Sequence, residues 1–453
     1  MKPSRFNRFV PTPDGKTLAF NSFTASLAEI DSESLPIVRK LLANSQPPSG
    51  EKEHEIHGAL CQGKYLIDDV TDELALLTLQ NRRQRFSRDS FVLTIAPTMA
   101  CNFACDYCFE RHTASHMNED TEQALVRFVE KEIIRSKDMH VTWFGGEPTL
   151  CLDMIERLQS AFTKLIVRHN LTMQPGFIIT NGYLLNAANS RRLASAGVTR
   201  AQVTLDGPPE IHDARRKLKN GKGSFGRIIE NLKEAADILH ILIRVNVDRV
   251  NLASAREVVR ILRDEQLLSK VAIVFSPVTG GDQVCADVHG RCFSTSEFAR
   301  GQSELYRRLL EDDFTQIEYP SLASGGHCGA DSDHAYVVAP NGLLFKCWED
   351  LSTDNSKSVG SIFTEEVTPR QQKNLAAYLS WDPLALPGCR DCNILPVCMG
   401  GCPLQAVKQN DASHGACCSW KYNLEDMLVL RYLCERRKET KSRQSAAGHK
   451  VET

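Results

Sequence analysis

The sequence predicts an α/β fold built on a parallel sheet, because strand-like and helix-like segments alternate along its middle. Short runs rich in β-branched residues recur there, and each is followed by a longer segment of helical periodicity. Such alternation requires right-handed crossovers and gives either a barrel-like or an open twisted sheet. The six units fall short of the eight that close a standard β/α barrel. The predicted strands lie at residues 91–98, 140–145, 176–181, 199–206, 241–248 and 271–276.

Two of the intervening helices have recognisable start signals. Asn118 can cap a segment that carries Leu125 and Val129 on one face. Ser224 can cap a segment in which Ile228 and Leu232 share a face. These caps predict helices that pack an apolar side against the sheet.

Composition and charge exclude several classes of protein. The 453 residues are enough for two or three domains. The chain has 54 Lys and Arg against 56 Asp and Glu, so no overall positive field favours nucleic acid or a membrane as a partner. No run of about eighteen apolar residues and no secretory signal is evident, which predicts a cytoplasmic protein. In a reducing compartment, the 16 cysteines are expected to be metal ligands or catalytic thiols.

Chemically distinctive residues follow the predicted strands. Three cysteines come after the first strand and Gly-Gly-Glu-Pro at 145–148 after the second, while Asn181, Asp206 and Asp248 end later strands. The carboxyl ends of parallel strands meet at one edge of a sheet. We therefore expect these residues to gather around one site.

The three cysteines are Cys101, Cys105 and Cys108, which place three thiolates on one short loop. A cubane [4Fe–4S] cluster takes one ligand per iron, so three thiolates leave one iron open. A zinc site would need a fourth ligand, which His112 or His116 can supply. A third alternative, buried structural thiols, is disfavoured because three thiols in so short a loop rarely coincide by chance.

The spacing Cys-x3-Cys-x2-Cys, with Tyr107 before the last cysteine, resembles the signature of radical SAM enzymes, and 145–148 resembles their GGEP motif. The resemblance implies a partial (β/α)6 radical SAM barrel, in agreement with the six units counted above. It also implies that Cys101, Cys105 and Cys108 hold a catalytic [4Fe–4S] cluster, whose open iron binds S-adenosyl-L-methionine. In that family, cleavage of this cofactor gives a 5′-deoxyadenosyl radical that abstracts hydrogen from the substrate.

Residues for the S-adenosylmethionine site follow from chemistry and from the resemblance. Glycines at 145 and 146 allow close backbone approach, and the carboxylate of Glu147 can receive the ammonium group. The alternative for each of the resemblance-based candidates is an ordinary turn or surface residue. The candidate cofactor-binding residues are Tyr107, Gly145, Gly146, Glu147, Pro148, Asn181, Thr204 and Arg216.

The C-terminal cysteines are too many for one metal ion, and their spacing resembles the SPASM domain of radical SAM enzymes that modify peptides and proteins. A zinc ribbon is the plainer alternative. The resemblance implies two auxiliary [4Fe–4S] clusters, and so three clusters in all. It places Cys328, Cys347 and Cys402 on the first auxiliary cluster, and Cys389, Cys392, Cys398 and a late cysteine on the second.

Two departures from the SPASM pattern leave ligands open. The late cysteine is Cys417 or Cys418. The spacing from Cys417 to Trp420 and the following Lys matches the family pattern of a cysteine followed by an aromatic residue and Lys better than the spacing from Cys418 does. The first auxiliary cluster lacks an obvious fourth cysteine, because His334 stands where some relatives have one. Either His334 is a ligand, or that iron is open to substrate; the plainer reading is a packed histidine at the start of a strand.

The sequence predicts four segments. Residues 1–88 form a small α+β unit that resembles a winged-helix peptide clamp, or else a packing extension of the barrel. Residues 89–315 form the barrel and 316–435 the SPASM domain. The polar residues 436–453 are expected to be disordered. Cysteines that fit no ligand spacing are expected to be buried or incidental thiols, namely Cys61, Cys151, Cys285, Cys292 and Cys434.

Together the two resemblances imply an oxidoreductase-type maturase of a ribosomally synthesised and post-translationally modified peptide (RiPP), which installs a thioether or carbon–carbon crosslink. A flavodoxin or ferredoxin is the implied electron donor. The first alternative is a formylglycine-forming sulfatase maturase. Those enzymes carry an Asp base where this chain has Trp348, so Glu349 or Asp350 would have to replace it. The second alternative is a zinc-stabilised binding protein without catalytic activity.

Overall fold

The computed structural model describes residues 1–43, 47–278, 286–320, 322, 328–409, 413 and 415–448. Of the residues discussed above, Cys285 and the end of the tail lie outside these ranges. The strands are β1 Lys2–Pro3, β2 Asn7–Pro11, β3 Thr17–Asn21, β4 Ser26–Ile30, β5 Leu66–Ile67, β6 Ser90–Ile95, β7 Asp138–Trp143, β8 Thr172–Met173, β9 Gly176–Thr180, β10 Val198–Thr204, β11 His240–Val247, β12 Val271–Pro277, β13 Ala335–Val338, β14 Leu343–Phe345 and β15 Gly360–Ser361. The helices are α1 Leu35–Ala43, α2 Glu51–Gln62, α3 Glu73–Phe86, α4 Glu119–Glu132, α5 Leu152–Arg168, α6 Ala187–Ser195, α7 Pro209–Arg215, α8 Phe225–Ala235, α9 Ala255–Asp264, α10 Thr295–Glu311, α11 Pro369–Leu379, α12 Pro387–Arg390, α13 Leu395–Cys398, α14 Pro403–Gln409 and α15 Trp420–Gly448.

The chain divides into two compact units. The sheet unit consists of Gln84–Ser294 and Cys328–Trp381, and the terminal unit consists of Met1–Arg83, Thr295–His327 and Asp382–Thr453. These units do not coincide with the four predicted segments, since each unit takes residues from both sides of the barrel region. The reason is that the early strands and the last helix share a hydrophobic core, as described below.

The sheet unit confirms the predicted parallel sheet. Its strands follow the order β12-β11-β10-β9-β7-β6, and all neighbouring pairs in this series are parallel. Their alternating side chains are buried, as in β6, because helices cover the sheet. The short strand β13 extends the sheet in parallel beside β6, and β14 and β15 continue it antiparallel. Among the described strands, β12 pairs only with β11, so the sheet does not close into a complete barrel.

One of the two predicted caps is confirmed. The Asn118 side chain accepts a hydrogen bond from the backbone N–H of Thr121 at 2.9 Å and starts α4. Ser224 directly precedes α8, as predicted, but its side chain makes no capping hydrogen bond, because its hydroxyl donates to the backbone carbonyl of Arg216 at 2.7 Å. Asp213 replaces it, and one carboxylate oxygen accepts the N–H groups of Ser224 and Phe225.

The terminal unit holds the three-stranded antiparallel sheet β2-β3-β4. Residues 1–83 also contribute the short strands β1 and β5 and the helices α1 to α3 to this unit. Val10, Leu18 and Phe20 from this sheet share a buried core with Leu424 and Leu428 of α15. Long-range packing therefore ties the first residues of the chain to some of the last.

The predicted disorder after residue 435 is contradicted, since α15 continues to Gly448. Its early turns pack Leu424, Leu428 and Tyr432 in the core, so the helix is already nucleated where the polar segment begins. The good helix formers Glu, Lys, Arg and Gln then extend it. No helix among the described residues is both long enough and apolar enough to cross a membrane.

Candidate active site

The three predicted cluster cysteines lie together at the carboxyl edge of the sheet. Their loop, residues 101–108, follows β6 and is fixed by backbone hydrogen bonds from Ala104 to Lys217 (2.9 Å) and from Asp106 to Arg215 (3.2 Å). All three line a cavity of 230 Å³, together with residues from the ends of β7, β9, β10, β11 and β12. The prediction that the strand ends converge on one site is therefore supported for Asn181, Thr204 and the two glycines, which also line it.

The spacing of the sulfur atoms favours a multinuclear cofactor over a single zinc ion. Tetrahedral zinc with bonds of about 2.3 Å would draw its thiolate sulfurs to about 3.8 Å from one another. Among the described residues, the set with three ligand atoms within 4.8 Å of one another is Cys108, Glu110 and His112, and not the three cysteines. The thiols of the loop therefore surround a larger space than one metal ion fills, as a cubane cluster requires.

Burial keeps these thiols protonated in the protein without metal. Burial, together with the charge of the nearby Glu147, raises the pKa of the Cys101 thiol to about 12. Burial likewise raises the pKa of Cys105 and Cys108. Because a metal ligand must be a thiolate, cofactor binding has to release these protons. The buried thiols thus fit a cluster whose positive irons replace the protons.

The glycines of the 145–148 turn are required by close backbone contact. Gly145 has a φ of +98°, and a Cβ at Gly146 would lie 2.3 Å from the backbone oxygen of Ala100. The backbone N–H groups of Gly146 and Glu147 donate to the carbonyls of Thr98 and Ala100. The sequence predicted that these glycines let the backbone approach a ligand. The structure shows that they also let the turn pack against the backbone that leads into the cysteine loop.

Glu147 does not have the role expected from the sequence. Its side chain is fully buried and its carboxylate is occupied within the protein. One oxygen accepts from Thr149 and from the Thr180 hydroxyl at 2.7 Å, and the other accepts the Asn181 N–H at 2.7 Å. Glu147 therefore braces the turn against the end of β9, and is not available to receive an ammonium group.

Arg216 lies in the cavity with part of its guanidinium unsatisfied. Its Nη1 donates to the Tyr107 hydroxyl at 2.6 Å, and Asn246 donates to the same hydroxyl at 3.1 Å. Its buried Nε has no hydrogen-bond partner among the described residues. A buried unpaired donor is costly unless a ligand satisfies it. Arg216 is therefore suited to an anion such as the carboxylate of an amino-acid cofactor.

The neighbouring Arg215 has a structural role, unlike Arg216. It pairs with Asp248 at 2.7 Å and with Asp206 at 3.5 Å, and both carboxylates are fully buried. The Asp206 and Asp248 carboxylates at the strand ends therefore hold α7 in place, which orients Arg216 toward the cavity.

Sequence reasoning missed several residues of the cavity wall. Glu110, Arg244 and Gln202 line it, and none of them belongs to a recognised motif. Gln202 and Thr204 alternate on β10, as Arg244 and Asn246 do on β11, so the two-residue period of the strands could have revealed them. Burial raises the pKa of the Glu110 carboxyl to about 8, with Glu147 adding to the effect.

The two acidic residues after Cys347 have different surroundings. Glu349 and Trp348 line the cavity, and Trp348 lies against Phe144 with ring centroids 5.5 Å apart. Asp350 instead accepts a hydrogen bond from the Tyr378 hydroxyl at 2.5 Å and pairs with Lys357 at 3.1 Å. Of the two acids weighed as replacements for the Asp base, only Glu349 lines the cavity.

Cys328 and Cys347 both lie in the sheet unit, and burial is the main cause of the raised pKa of the Cys347 thiol, to which a thiolate at Cys328 adds a little. His334 is fully buried against the Phe91 ring, with centroids 4.7 Å apart, and its Nε2 lies 3.5 Å from Glu132. These contacts support the packed-histidine alternative. Cys402 is exposed in the terminal unit, and its assignment to the first auxiliary cluster stays a prediction.

The cysteines assigned to the second auxiliary cluster lie in the terminal unit, and we call Cys389, Cys392, Cys398 and Cys417 the C-terminal cysteine site. Burial raises the pKa of Cys417, and thiolates at the other three positions add to this effect. Cys418 forms a side-chain hydrogen bond with Cys398. The choice of Cys417 as the late ligand stays a prediction.

A tight backbone contact shapes the C-terminal cysteine site. Gly401 has a φ of +76°, and a Cβ there would lie 1.6 Å from the backbone oxygen of Ala416. This contact brings the segment after Cys398 against the segment before Cys417. Backbone N–H groups also point at sulfur, from Gly415 to Cys389 and from Cys418 to Cys398, both at 3.4 Å.

Comparison with known proteins identifies the central region. Residues 95–262 match the Radical SAM superfamily. An uncharacterized protein of Synechocystis is 27% identical over 186 residues, which are 39% of this chain and 46% of that protein. A serine-type anaerobic sulfatase-maturating enzyme of Bacteroides thetaiotaomicron is 22% identical over 369 residues, covering 70% of this chain and 83% of that enzyme.

Solved structures show the same fold. The structure of anSMEcpe with bound AdoMet and Kp18Cys peptide aligns with a TM-score of 0.60 at 18% identity, over 77% of this chain and 99% of that one. Streptococcus suis SuiB aligns with a TM-score of 0.51 at 15% identity, over 92% and 100% of the two chains. Residues 95–262, which carry the cysteine loop, the Gly-Gly-Glu-Pro turn and Arg216, therefore form a radical SAM domain.

Proposed function

We propose that this chain is a radical SAM maturase that acts on a ribosomally synthesised peptide and installs a thioether or carbon–carbon crosslink. The observation that carries the proposal is the single cavity shared by the three loop cysteines, the two glycines and the unpaired Nε of Arg216. The peptide substrate is supported by likeness to a maturating enzyme and to a fold solved with a bound peptide.

The residues present fit a [4Fe–4S] cluster and S-adenosyl-L-methionine. When bound, these cofactors supply a 5′-deoxyadenosyl radical that abstracts hydrogen from the substrate. Cys101, Cys105 and Cys108 would hold the cluster. Arg216 would bind the carboxylate of S-adenosylmethionine, and Tyr107 keeps that guanidinium in place through its hydroxyl. The strand-end residues Asn181 and Thr204 add polar groups around the cofactor.

Trp348, Phe109 and Phe144 give the cavity an apolar wall on which a peptide side chain can pack and which limits the access of water. Glu349 adds a carboxylate to this wall. The C-terminal cysteines would hold two further [4Fe–4S] clusters, and a flavodoxin or ferredoxin would supply electrons. The three segments predicted up to residue 435, including the N-terminal peptide clamp, remain part of this proposal.

The first test is the iron and sulfide content of anaerobically reconstituted protein, combined with an assay for 5′-deoxyadenosine after addition of dithionite and S-adenosylmethionine. About twelve irons per chain and formation of 5′-deoxyadenosine support the proposal. Protein that takes up no iron on reconstitution, or that never cleaves S-adenosylmethionine, contradicts it.

Formylglycine formation is a second candidate, because Glu349 offers a carboxylate at the cavity and a sulfatase-maturating enzyme is among the relatives. The reactions can be separated on a short precursor peptide encoded beside the gene. Oxidation of serine to formylglycine and formation of a crosslink each remove two hydrogen atoms, so mass alone does not distinguish them. Trapping by a hydrazide reveals the aldehyde, whereas a crosslink resists fragmentation between the joined residues in tandem mass spectrometry.

A further inference from the structure

The wall of the cavity next to the cysteine loop carries three different metal-ligating side chains at close range. The Cys108 sulfur lies 3.5 Å from Nε2 of His112, and this nitrogen lies 3.9 Å from Oε2 of Glu110. The three ligand atoms lie within 4.8 Å of one another. Residues 108, 110 and 112 are alternate positions of one short segment that is neither helix nor strand.

These distances match those of a mononuclear tetrahedral site. Bonds of about 2.3 Å to sulfur and about 2.0 Å to nitrogen, at the tetrahedral angle, place the two ligand atoms about 3.5 Å apart. Two ligands at about 2.0 Å, such as imidazole and carboxylate, lie about 3.3 Å apart. The observed sulfur–nitrogen distance of 3.5 Å equals the tetrahedral value. The observed nitrogen–oxygen distance of 3.9 Å is longer than its tetrahedral value, and rotation of one side chain can close the difference.

A second observation points to a ligand at the same place. The Glu110 residue is only 7% exposed, and its Oε1 has no hydrogen-bond partner among the described residues. A buried carboxyl without a partner is costly unless it is paired or coordinates a metal. Thiolate, imidazole and carboxylate together form a donor set for borderline-soft divalent ions.

We propose that, in the chain without its cluster, Cys108, Glu110 and His112 bind one divalent transition-metal ion, such as Zn²⁺ or Fe²⁺, in a mononuclear site. Binding releases the Cys108 thiol proton and leaves a fourth position for water. Cys108 cannot serve this ion and a [4Fe–4S] cluster at once, so the ion has to leave when the cluster forms. Zinc in the isolated protein would then reflect this site, and would not by itself identify a structural zinc protein.

The test uses the full-length chain, freed of clusters by a chelator under anaerobic conditions and titrated with Co²⁺. The number of ions bound and the thiolate-to-cobalt charge-transfer absorption are measured. Because the C-terminal cysteines also bind Co²⁺, the comparison is between variants. We expect Cys108→Ala and His112→Ala each to bind about one ion fewer than the wild type, with a weaker charge-transfer band for the former. Cys101→Ala should bind as many ions as the wild type.

His116→Ala is the matched control, since that histidine lies on the same loop beside another thiol, that of Cys151 at 3.7 Å. It should bind Co²⁺ like the wild type. His112→Ala should still acquire the cluster on reconstitution, which shows that it folds and that the two sites are separable.

An unchanged number of bound Co²⁺ ions in His112→Ala overturns the proposal. An equal loss in Cys101→Ala and Cys108→Ala overturns it too, because it would assign the ion to the three cysteines. Failure of the radical chemistry would instead appear as absent 5′-deoxyadenosine in reconstituted wild type.

Discussion

The cysteine loop of the sheet unit and the C-terminal cysteine site of the terminal unit both contain several cysteines, but the surrounding fold positions these side chains in different ways. The loop is attached to the ends of long parallel strands, whose cores contain Phe91 and Trp143, both fully buried. At the C-terminal site, by contrast, Cys389 and Cys398 are themselves members of hydrophobic cores. The helices that carry them, α12 and α13, have four residues each. Helices this short do not form alone. The comparison indicates that the first site depends on the fold around it, whereas the fold of the terminal unit depends on its site.

The largest expected effect is on activity at the cysteine loop. Cys101→Ala removes one of three thiolates that hold the catalytic cluster, so we expect 5′-deoxyadenosine formation to fall below detection. The melting temperature of the cluster-free protein should stay within about 2 °C of the wild type, because the strands do not rely on this thiol. An assay for 5′-deoxyadenosine tests the expected loss of activity, and calorimetry of the cluster-free protein tests the expected melting temperature. A fully active variant would remove Cys101 from the cluster.

The converse effect is expected at the C-terminal cysteine site. Cys398→Ala removes a buried side chain and a proposed cluster ligand, so the terminal unit should lose about 3 kcal/mol of its free energy of unfolding. For a unit of this size this corresponds to a melting temperature lower by about 6–12 °C. Cys434→Ala is the control, because Cys434 is also buried but fits no ligand spacing. If both variants lose the same stability, the C-terminal site contributes no more than packing.

The sequence predicted the cysteine loop better than the C-terminal site for a physical reason. Ligands of the loop are three residues of one short segment at a strand end, so spacing and strand period suffice to place them. At the C-terminal site, Cys417 is brought to Cys398 by the close contact of Gly401 with Ala416, which no spacing rule shows. Packing of β3 against α15 is equally non-local, and for this reason neither the two-unit division nor the helical tail was anticipated.

Errors within the sheet unit were of a more local kind. The identity of Glu147 suggested a ligand for an ammonium group, but hydrogen bonds from Thr149, Thr180 and Asn181 occupy its carboxylate. Likewise Ser224 is a good cap by type, and the neighbouring Asp213 displaces it. Residue type predicts what a side chain can do, whereas the competing partners in the fold decide what it does.

A smaller effect is expected from Arg216→Gln. The variant loses a charge-assisted hydrogen bond to the cofactor carboxylate, worth about 1.5–3 kcal/mol, so S-adenosylmethionine should bind about 10- to 100-fold more weakly. The cluster content should be unchanged, since Arg216 is not a ligand. Equilibrium binding to reconstituted protein measures the change. Arg157→Gln, which breaks an exposed pair with Glu122, is the control and should bind normally. Equal affinities in all three proteins would place the cofactor carboxylate elsewhere.

Glu349→Gln should separate radical initiation from modification of the peptide. The side chain lines the cavity but belongs to neither the cysteine loop nor the predicted S-adenosylmethionine residues. We therefore expect 5′-deoxyadenosine to form at a rate within about twofold of the wild type, while the yield of modified peptide falls about tenfold or more. Asp350→Asn is the contrasting variant. Because Asp350 is held by Tyr378 and Lys357, its substitution should change stability rather than the ratio of the two products. An unchanged ratio in Glu349→Gln would exclude a role for this carboxylate with the peptide.

The smallest expected effect concerns the dependence of the terminal unit on pH. Glu318 is largely buried, and this raises the pKa of its carboxyl above the ordinary value, although hydrogen bonds from Tyr306 (2.7 Å) and Gln302 (3.4 Å) oppose the shift. A raised pKa in the folded state means that the stabilising contribution is complete below the pKa of the unfolded chain, and is lost as pH rises through the folded value. Glu318→Gln should therefore remove part of the fall in stability that occurs as pH rises above about 4.3, the usual pKa of Glu in an unfolded chain. Glu304→Gln provides the opposite sign, because hydrogen bonds from Arg308 and Arg307 lower the pKa of that carboxyl. Its contribution is lost as pH falls, and the exposed pair is worth little. Melting temperatures of the wild type and both variants, measured as a function of pH, would test whether Glu318 causes the loss of stability. If the melting temperature of Glu318→Gln falls with pH as steeply as that of the wild type, another buried group causes the loss.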